Sequence, residues 1–252
     1  MTSRDGFCQL CCLEASLCPA QLCTPCNKLL LLNMPPCQVM QTLNNYKIPK
    51  RCKLCGEQGE LGGASICSQC LTIKPIWHQC ILPLDYAGVP KQMIQAFKFH
   101  QHKRFGSILS RLLTKEIIRH ATYGALPDAL IAIPSHPRRL KARGFSTSLK
   151  IATHLSRTLD IPLIEPFERL SSPKPQATLN RKDRLQNVKG SFKLVSHWRK
   201  LIPAAQLAHL CLVDDVITTG ATFTECATML NTLGLYRLDV WALAKTPRAG
   251  DA

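Results

Sequence analysis

The sequence predicts an α/β protein: a parallel sheet with helices on both faces, preceded by a small metal-binding module built from cysteines. Three features lead there. Twelve of the 14 cysteines fall within residues 8–80, eight of them in a repeated knuckle pattern. From residue 81 onward, apolar stretches of strand length alternate with amphipathic stretches of helix length, the order that builds parallel sheets. Residues 211–222 then run from an apolar strand through two acids into a Thr- and Gly-containing turn that opens a helix. A chain of 252 residues has room for one such domain of roughly 150–170 residues and a smaller module, so the expected division is 1–80 and 81–252.

In the first part, Cys8-x2-Cys11 is followed after 11 residues by Cys23-x2-Cys26, and Cys52-x2-Cys55 after 11 residues by Cys67-x2-Cys70. All four positions recur at an offset of 44. A CxxC turn aims two thiolates at one ion, and a second turn completes the tetrahedron that structural Zn²⁺ adopts. Each quartet is therefore an expected closed zinc site, and metal would supply much of the folding free energy of a segment with little other core material. Redox CxxC motifs, the rival reading, usually come singly beside a βαβ pattern rather than in matched double pairs. Crossed pairing of knuckles between the quartets stays open, and Cys12 and Cys18 offer competing ligands in the first. Cys37 and Cys80 match neither repeat and read as small buried hydrophobes. The N-terminus lacks the pattern of a secretory signal and no apolar run reaches the roughly 18–20 residues a membrane span needs, so no membrane insertion and a cytoplasmic location are expected.

Beyond residue 81 the expected elements are a short strand around residues 82–87, then amphipathic helix with Met93, Ile94 and Phe97 followed by Ile108, Leu112, Leu113 and Ile117. A buried strand at Ala129–Ile133 is closed by Pro134, and residues 146–159 read as a helix with Leu149, Ala152 and Leu155 on one face. The next strand is residues 207–213, the next helix 222–233 ended by Gly234, and the last strand 238–244. In parallel sheets of this kind ligands sit at the strand C-terminal ends.

The chemistry concentrates in Val213-Asp214-Asp215-Val216-Ile217-Thr218-Thr219-Gly220-Ala221-Thr222. Small residues with free amides and hydroxyls at a helix N-terminus form an anion cradle suited to a phosphate. The two carboxylates just before it would repel the same phosphate, so they must face hydroxyls or a cation, which fits a ribose diol beside Mg²⁺.

This run resembles the phosphoribosyl-diphosphate (PRPP) motif of type I phosphoribosyltransferases. The resemblance implies that Asp214 and Asp215 bind the ribose hydroxyls and that Thr218, Thr219, Gly220, Ala221 and Thr222 bind the 5-phosphate, with Mg²⁺ accompanying PRPP. It extends over nearly the whole chain to the ComF/GntX family of phosphoribosyltransferase-like proteins, linked to DNA uptake in competent bacteria. That family joins cysteine knuckles to this fold and has a Lys-Tyr/Phe step, matched by Lys98-Phe99. A proline-ended strand and Arg-x3-Arg-Gly-Phe follow, matched by Ile133-Pro134 and residues 139–145, then Gln176, Arg184 and Asn187. The departures are Ser146-Thr147 where the family has Asn-Gln, and the long spacer of residues 27–51 between the quartets.

Charge is the other unusual quantity. The chain carries +16, and residues 91–150 alone hold 12 basic against 2 acidic residues, as expected for a surface meeting polyanions. Arg138, Arg139, Lys141 and Arg143 lie in the expected loop 135–145, where guanidinium groups would pair with diphosphate or a nucleic-acid backbone. Lys98, Phe99, Lys103, Arg104 and Phe105 mix cations and rings, the composition of a single-strand contact. Three functions fit: transfer of ribose 5-phosphate from PRPP to an acceptor, PRPP sensing without catalysis, and handling of single-stranded DNA with a helicase-type partner, as the family resemblance implies. Residues 245–252 offer no aromatic to stack on an acceptor base, which tilts the reading to the third, with catalysis open.

Overall fold

The computed structural model describes residues 48, 50–58, 61, 65–99, 103–121, 125–170, 188, 190–201, 208–232, 234 and 237–247. The first quartet, Cys8, Cys11, Cys23 and Cys26, lies outside them, as do Cys12, Cys18, Cys37, Gln176, Arg184 and Asn187.

The described elements in chain order are α1 (Ser68–Thr72), β1 (Gln79–Ile81), β2 (Leu84–Asp85), α2 (Gly88–Phe99), α3 (Lys103–Ala121) and β3 (Ala129–Ala132). There follow α4 (Pro137–Arg143), α5 (Thr147–Leu159), β4 (Leu163–Ile164), β5 (Phe167–Arg169), β6 (Phe192–Leu194) and α6 (Trp198–Leu201). The chain closes with β7 (His209–Ile217), α7 (Ala221–Asn231) and β8 (Arg237–Lys245). Six strands form one parallel sheet in the order β1-β8-β7-β3-β4, with β2 also pairing β8, and β5 and β6 make a separate antiparallel hairpin. The predicted α/β fold with a parallel sheet is the fold observed.

Strand alternation sorts the core. One side of the sheet, through Leu130, Ala132, Cys211, Val213 and Trp241, packs on α2, α3 and α5. The other, through Ala129, Ile131, Leu210, Leu212, Val240 and Ala242, packs on α7 and the hairpin. Helices therefore cover both faces, because side chains one residue apart on a strand point to opposite sides. The helices α2 and α3 meet at Gly106, where a Cβ would lie 2.5 Å from the Phe97 ring. The single periodic run seen in sequence is thus carried by two closely packed helices.

Residues 135–145, expected as a loop, contain the helix α4. Its start and stop are chemical: His136 caps it by accepting from the Arg138 backbone N–H, Pro137 opens it, and Gly144 closes it at φ 76°. The strand β7 runs four residues past the predicted end, carrying Asp214 and Asp215 into the sheet. The strand β1 spans the expected boundary at residue 80, and the cysteine knuckle beside it is tied to the sheet by Cys80 N–H to the Lys53 carbonyl (2.7 Å) and by Arg51 to Asp85 (2.8 Å).

Candidate functional site

At the C-terminal ends of β3 and β7 a cleft of about 330 Å³ opens between α4, the hairpin and the turn before α7. Its floor carries Asp214 and Asp215, one wall carries Thr218, Thr219, Ala221 and Thr222, and the facing wall carries Arg139, Arg143 and Arg169. The turn is shaped by Gly220, which caps α7 at φ 80°, a left-handed conformation open to glycine without strain. Thr219 Oγ1 accepts from the Ala221 N–H (3.3 Å), so the turn already orders one hydroxyl at the helix start. Amides at that end carry the positive pole of the helix.

The acidic pair is split by the pleat. Asp215 turns toward α2 and α5, where Lys98 Nζ reaches one oxygen at 2.6 Å and the buried Thr147 hydroxyl donates to the other. Asp214 turns the opposite way, toward the hairpin, and accepts the Asp215 backbone N–H at 2.8 Å. Burial, and then the charge of Asp215, push the Asp214 carboxyl up to about 7, against the lowering influence of that N–H, Lys98 and Arg169. Asp215 is thus held by the protein, whereas Asp214 is poised to gain from a hydroxyl or a cation.

A pH dependence follows. The ionised form of Asp214 is the one that accepts from hydroxyls or holds a cation, so a sugar phosphate offered with Mg²⁺ is expected to bind more strongly as pH rises toward about 7 and to level above it. Asp214→Asn removes this dependence and leaves only that of the ligand's own phosphates. Calorimetric titration of both proteins from pH 5.5 to 8.5 checks it, and identical pH profiles would exclude the role.

The four cations of α4 divide by face. The exposed Arg139 and the half-buried Arg143, four residues apart, line the cleft, while Arg138 and Lys141, also exposed, do not line it. The Arg143 guanidinium stacks on the exposed Phe99 ring with its centre 4.6 Å from the ring centroid. Burial lowers the pKa of Arg143 and of Arg169, with Arg139 lowering both further and Asp215 and Asp214 respectively opposing. His136, beside them, is also lowered, by burial and then by Arg169, Arg139 and Arg138. Cations crowded together in this way favour a multiply charged anion between them.

Of the residues expected to contact a single strand, Lys98 and Phe105 are engaged within the protein. Lys98 is bound to Asp215 and overlies Tyr86, and Phe105 is fully buried in the core, so neither is presented as expected. Helical periodicity decides this: Phe105 falls on the same inward face of α3 as Leu109 and Leu112. Phe99 is exposed, Arg104 is partly exposed with its guanidinium over the Phe105 ring, and Lys103 begins α3.

Cys52, Cys55, Cys67 and Cys70 converge as the sequence spacing predicts. Their sulfurs all lie within 4.8 Å of one another, and Cys55 and Cys67 are 3.7 Å apart with no disulfide between them. A tetrahedral Zn–S₄ site with bonds near 2.3 Å has sulfurs about 3.8 Å apart, so the four thiols fit a metal ion. Burial pushes the Cys55 thiol up to about 12 and raises that of Cys70 as well. At Cys52 burial opposes ionisation, but backbone N–H groups of Cys67, Cys55 and Leu54 outweigh it and bring the thiol down to about 7. Cys80 is buried, as a small hydrophobe would be.

No family model matches the chain. Curated relatives match it along most of its length. It is 30% identical over 249 residues to DNA utilization protein YhgH of Escherichia coli (strain K12) and of Shigella flexneri, an overlap of 98% of this chain and 100% of each relative. It is 33% identical over 197 residues to Competence protein F of Haemophilus influenzae, 77% of this chain and 84% of that protein. The chain belongs to the ComF family. In this ComF-family chain, two cleft residues carry no signal in the sequence. Arg169 stands on a three-residue strand whose partner is more than twenty residues away, and Tyr86 follows a two-residue strand. Among the described residues no helix is long and apolar enough to cross a membrane.

Proposed function

We propose that this chain binds PRPP with Mg²⁺ in the cleft and serves the handling of single-stranded DNA during DNA uptake, in the cytoplasm and with a helicase-type partner. The observation that carries the reading is the opposition of charges across one cleft: a phosphate-type turn on one wall, arginines on the other and an acidic pair on the floor. A ligand with a phosphate at one end, a diol in the middle and a diphosphate at the other meets all three. Thr218, Thr219, Gly220, Ala221 and Thr222 take the 5-phosphate, Asp214 the diol, and Arg139, Arg143 and Arg169 the diphosphate. Mg²⁺ would add charge neutralisation at the diphosphate. The names of the relatives, DNA utilization and competence proteins, support the DNA role. The cysteine cluster is read as a structural zinc site, closed by four thiolates with no open position for chemistry.

Cations outside the cleft lining supply the DNA contact. Arg138 and Lys141 on α4 stand with Lys103 and Arg104 in the segment of highest positive charge. Single-strand binding should therefore weaken linearly with log salt, by about 0.7 per phosphate neutralised, and changing these four residues to Ala should flatten the slope by up to about three units. Isothermal titration of the metal-replete protein with PRPP and Mg²⁺, and separately with a single-stranded oligonucleotide across a salt series, tests both halves. Absence of heat with PRPP removes the ligand reading, and an unaltered slope in the fourfold variant removes the track.

A further inference from the structure

The cysteine cluster and the phosphate turn are built as one device. Two chains of contact run between them. The first is polar: Glu57, two residues past Cys55, pairs with Lys245 Nζ at 2.8 Å, and the same ammonium donates to the Thr218 carbonyl at 2.7 Å. Both side chains are more than nine-tenths buried, at 8% and 7% exposure. Glu57 is itself fixed in the knuckle, since its carbonyl accepts the Cys52 N–H at 2.8 Å. The second is apolar: the Trp77 indole N–H donates to the Leu54 carbonyl inside the knuckle. Its ring lies 3.3 Å from where a Cβ on Gly220 would stand, and it meets Phe223 edge-on with centroids 6.3 Å apart.

These contacts touch the turn from behind, at a carbonyl and a glycine, and leave its hydroxyls to the cleft. A Thr218 carbonyl drawn toward Lys245 turns the Thr219 N–H, antiparallel to it in the same planar peptide, away from Lys245 and so helps aim the turn. A buried ammonium cannot hold that carbonyl unless its own charge is balanced, and Glu57 supplies the balance. Glu57 in turn is placed by the knuckle whose two cysteines the metal would fix.

We infer that Glu57 and Lys245 are positioning residues for the phosphate turn, and that metal in the four-cysteine cluster strengthens anion binding in the cleft by holding this pair in place. The coupling rests on the reading of the turn as a phosphate cradle only where ligand affinity is measured; its effect on the turn can be read without ligand. A second consequence is that the module acts on the site without contributing a group to the ligand.

Hydrogen exchange resolved by residue, on the full chain, gives the test. Glu57→Gln, Lys245→Met and the double variant are compared with the zinc-loaded parent, and the parent is also compared with and without chelator. Glu57→Gln leaves a buried ammonium unbalanced and lowers overall stability as well. The double variant removes both charges and recovers much of that stability, yet still lacks the donor to Thr218. Expected is an exchange rate at residues 218–222 about tenfold or more above the parent in all three variants and in the chelated protein, while residues 210–213 of β7 keep theirs. PRPP affinity with Mg²⁺ should fall about 5–20-fold in the double variant. Parental exchange at the turn in the double variant overturns the inference. A parent that fails to bind PRPP overturns the ligand reading alone, and the exchange comparison still decides the coupling.

Discussion

On the proposed PRPP reading, changing Arg139 and Arg143 together to Ala is expected to lower affinity for PRPP by about 100–1000-fold, roughly 3–4 kcal/mol, and changing Arg138 and Lys141 together to leave it within about threefold. The two pairs have similar charge and lie in the same seven-residue helix, so a purely long-range electrostatic effect would weaken binding alike. Geometry separates them. Arg139, although exposed, and the half-buried Arg143 line the cleft, and Arg143 is oriented by its stacking on Phe99, while Arg138 and Lys141 are exposed away from it and screened. A charge-assisted contact from a guanidinium to a phosphate contributes about 1.5–3 kcal/mol, with the exposed Arg139 at the low end and the half-buried Arg143 above it, and two such contacts account for the size of the loss. Because the free cleft crowds Arg139, Arg143 and Arg169, part of the loss is offset by relief of their repulsion, which keeps the expected effect below the full sum. Calorimetry on the two double variants checks the contrast. Equal losses from both pairs would mean that α4 does not present one face to the ligand.

How far the sequence reaches depends on whether a residue's neighbours are local. The turn Thr218 to Thr222 between its strand and helix is legible because the three are contiguous, and the second cysteine quartet because its spacing alone defines two knuckles. The division of labour between Asp214 and Asp215 follows from the pleat, but its consequence required knowing that Lys98 and Thr147 stand on one side and Arg169 on the other, 117, 68 and more than forty residues away in the chain. The helix α4 was written in the sequence as His-Pro at one end and Gly at the other, yet four cations in six residues read more readily as a loop. Phe105 reads as a platform from its flanking charges, while the 3.6-residue period that buries it runs forward through Leu109 and Leu112. Coupling of Glu57 to Lys245 spans 188 positions and has no sequence signature at all.

Metal affinity at the second quartet rises steeply with pH, by at least about two log units per pH unit between pH 6 and 8. The direction follows from proton balance. Thiolates bind the metal, and in the metal-free protein burial keeps Cys55 up to about 12 and raises Cys70, so both are protonated throughout that range and must release a proton on binding. Cys52, brought down to about 7, releases a further fraction that shrinks as pH passes its midpoint, so the slope is steepest at the acidic end. Stability linked to the metal is accordingly present at high pH and lost as pH falls, the opposite of what neutral thiols packing as plain hydrophobes would give. Over two pH units the change in affinity is about 10⁴-fold or more, large enough to read by competition with a chelator whose own titration is known. Cys70→Ser removes one ligand and one of these protons; it should lower metal affinity by several orders of magnitude and flatten the pH slope by about one. The body of the protein does not depend on this site for its core, since the two clusters flanking the sheet are built from other residues. Loss of metal should therefore loosen residues 51–58 and 65–70 and the turn they support while α3, β3 and β7 stay folded. A pH slope near zero, or a Cys70→Ser variant that holds metal as tightly as the parent, would show that these four thiols are not its ligands.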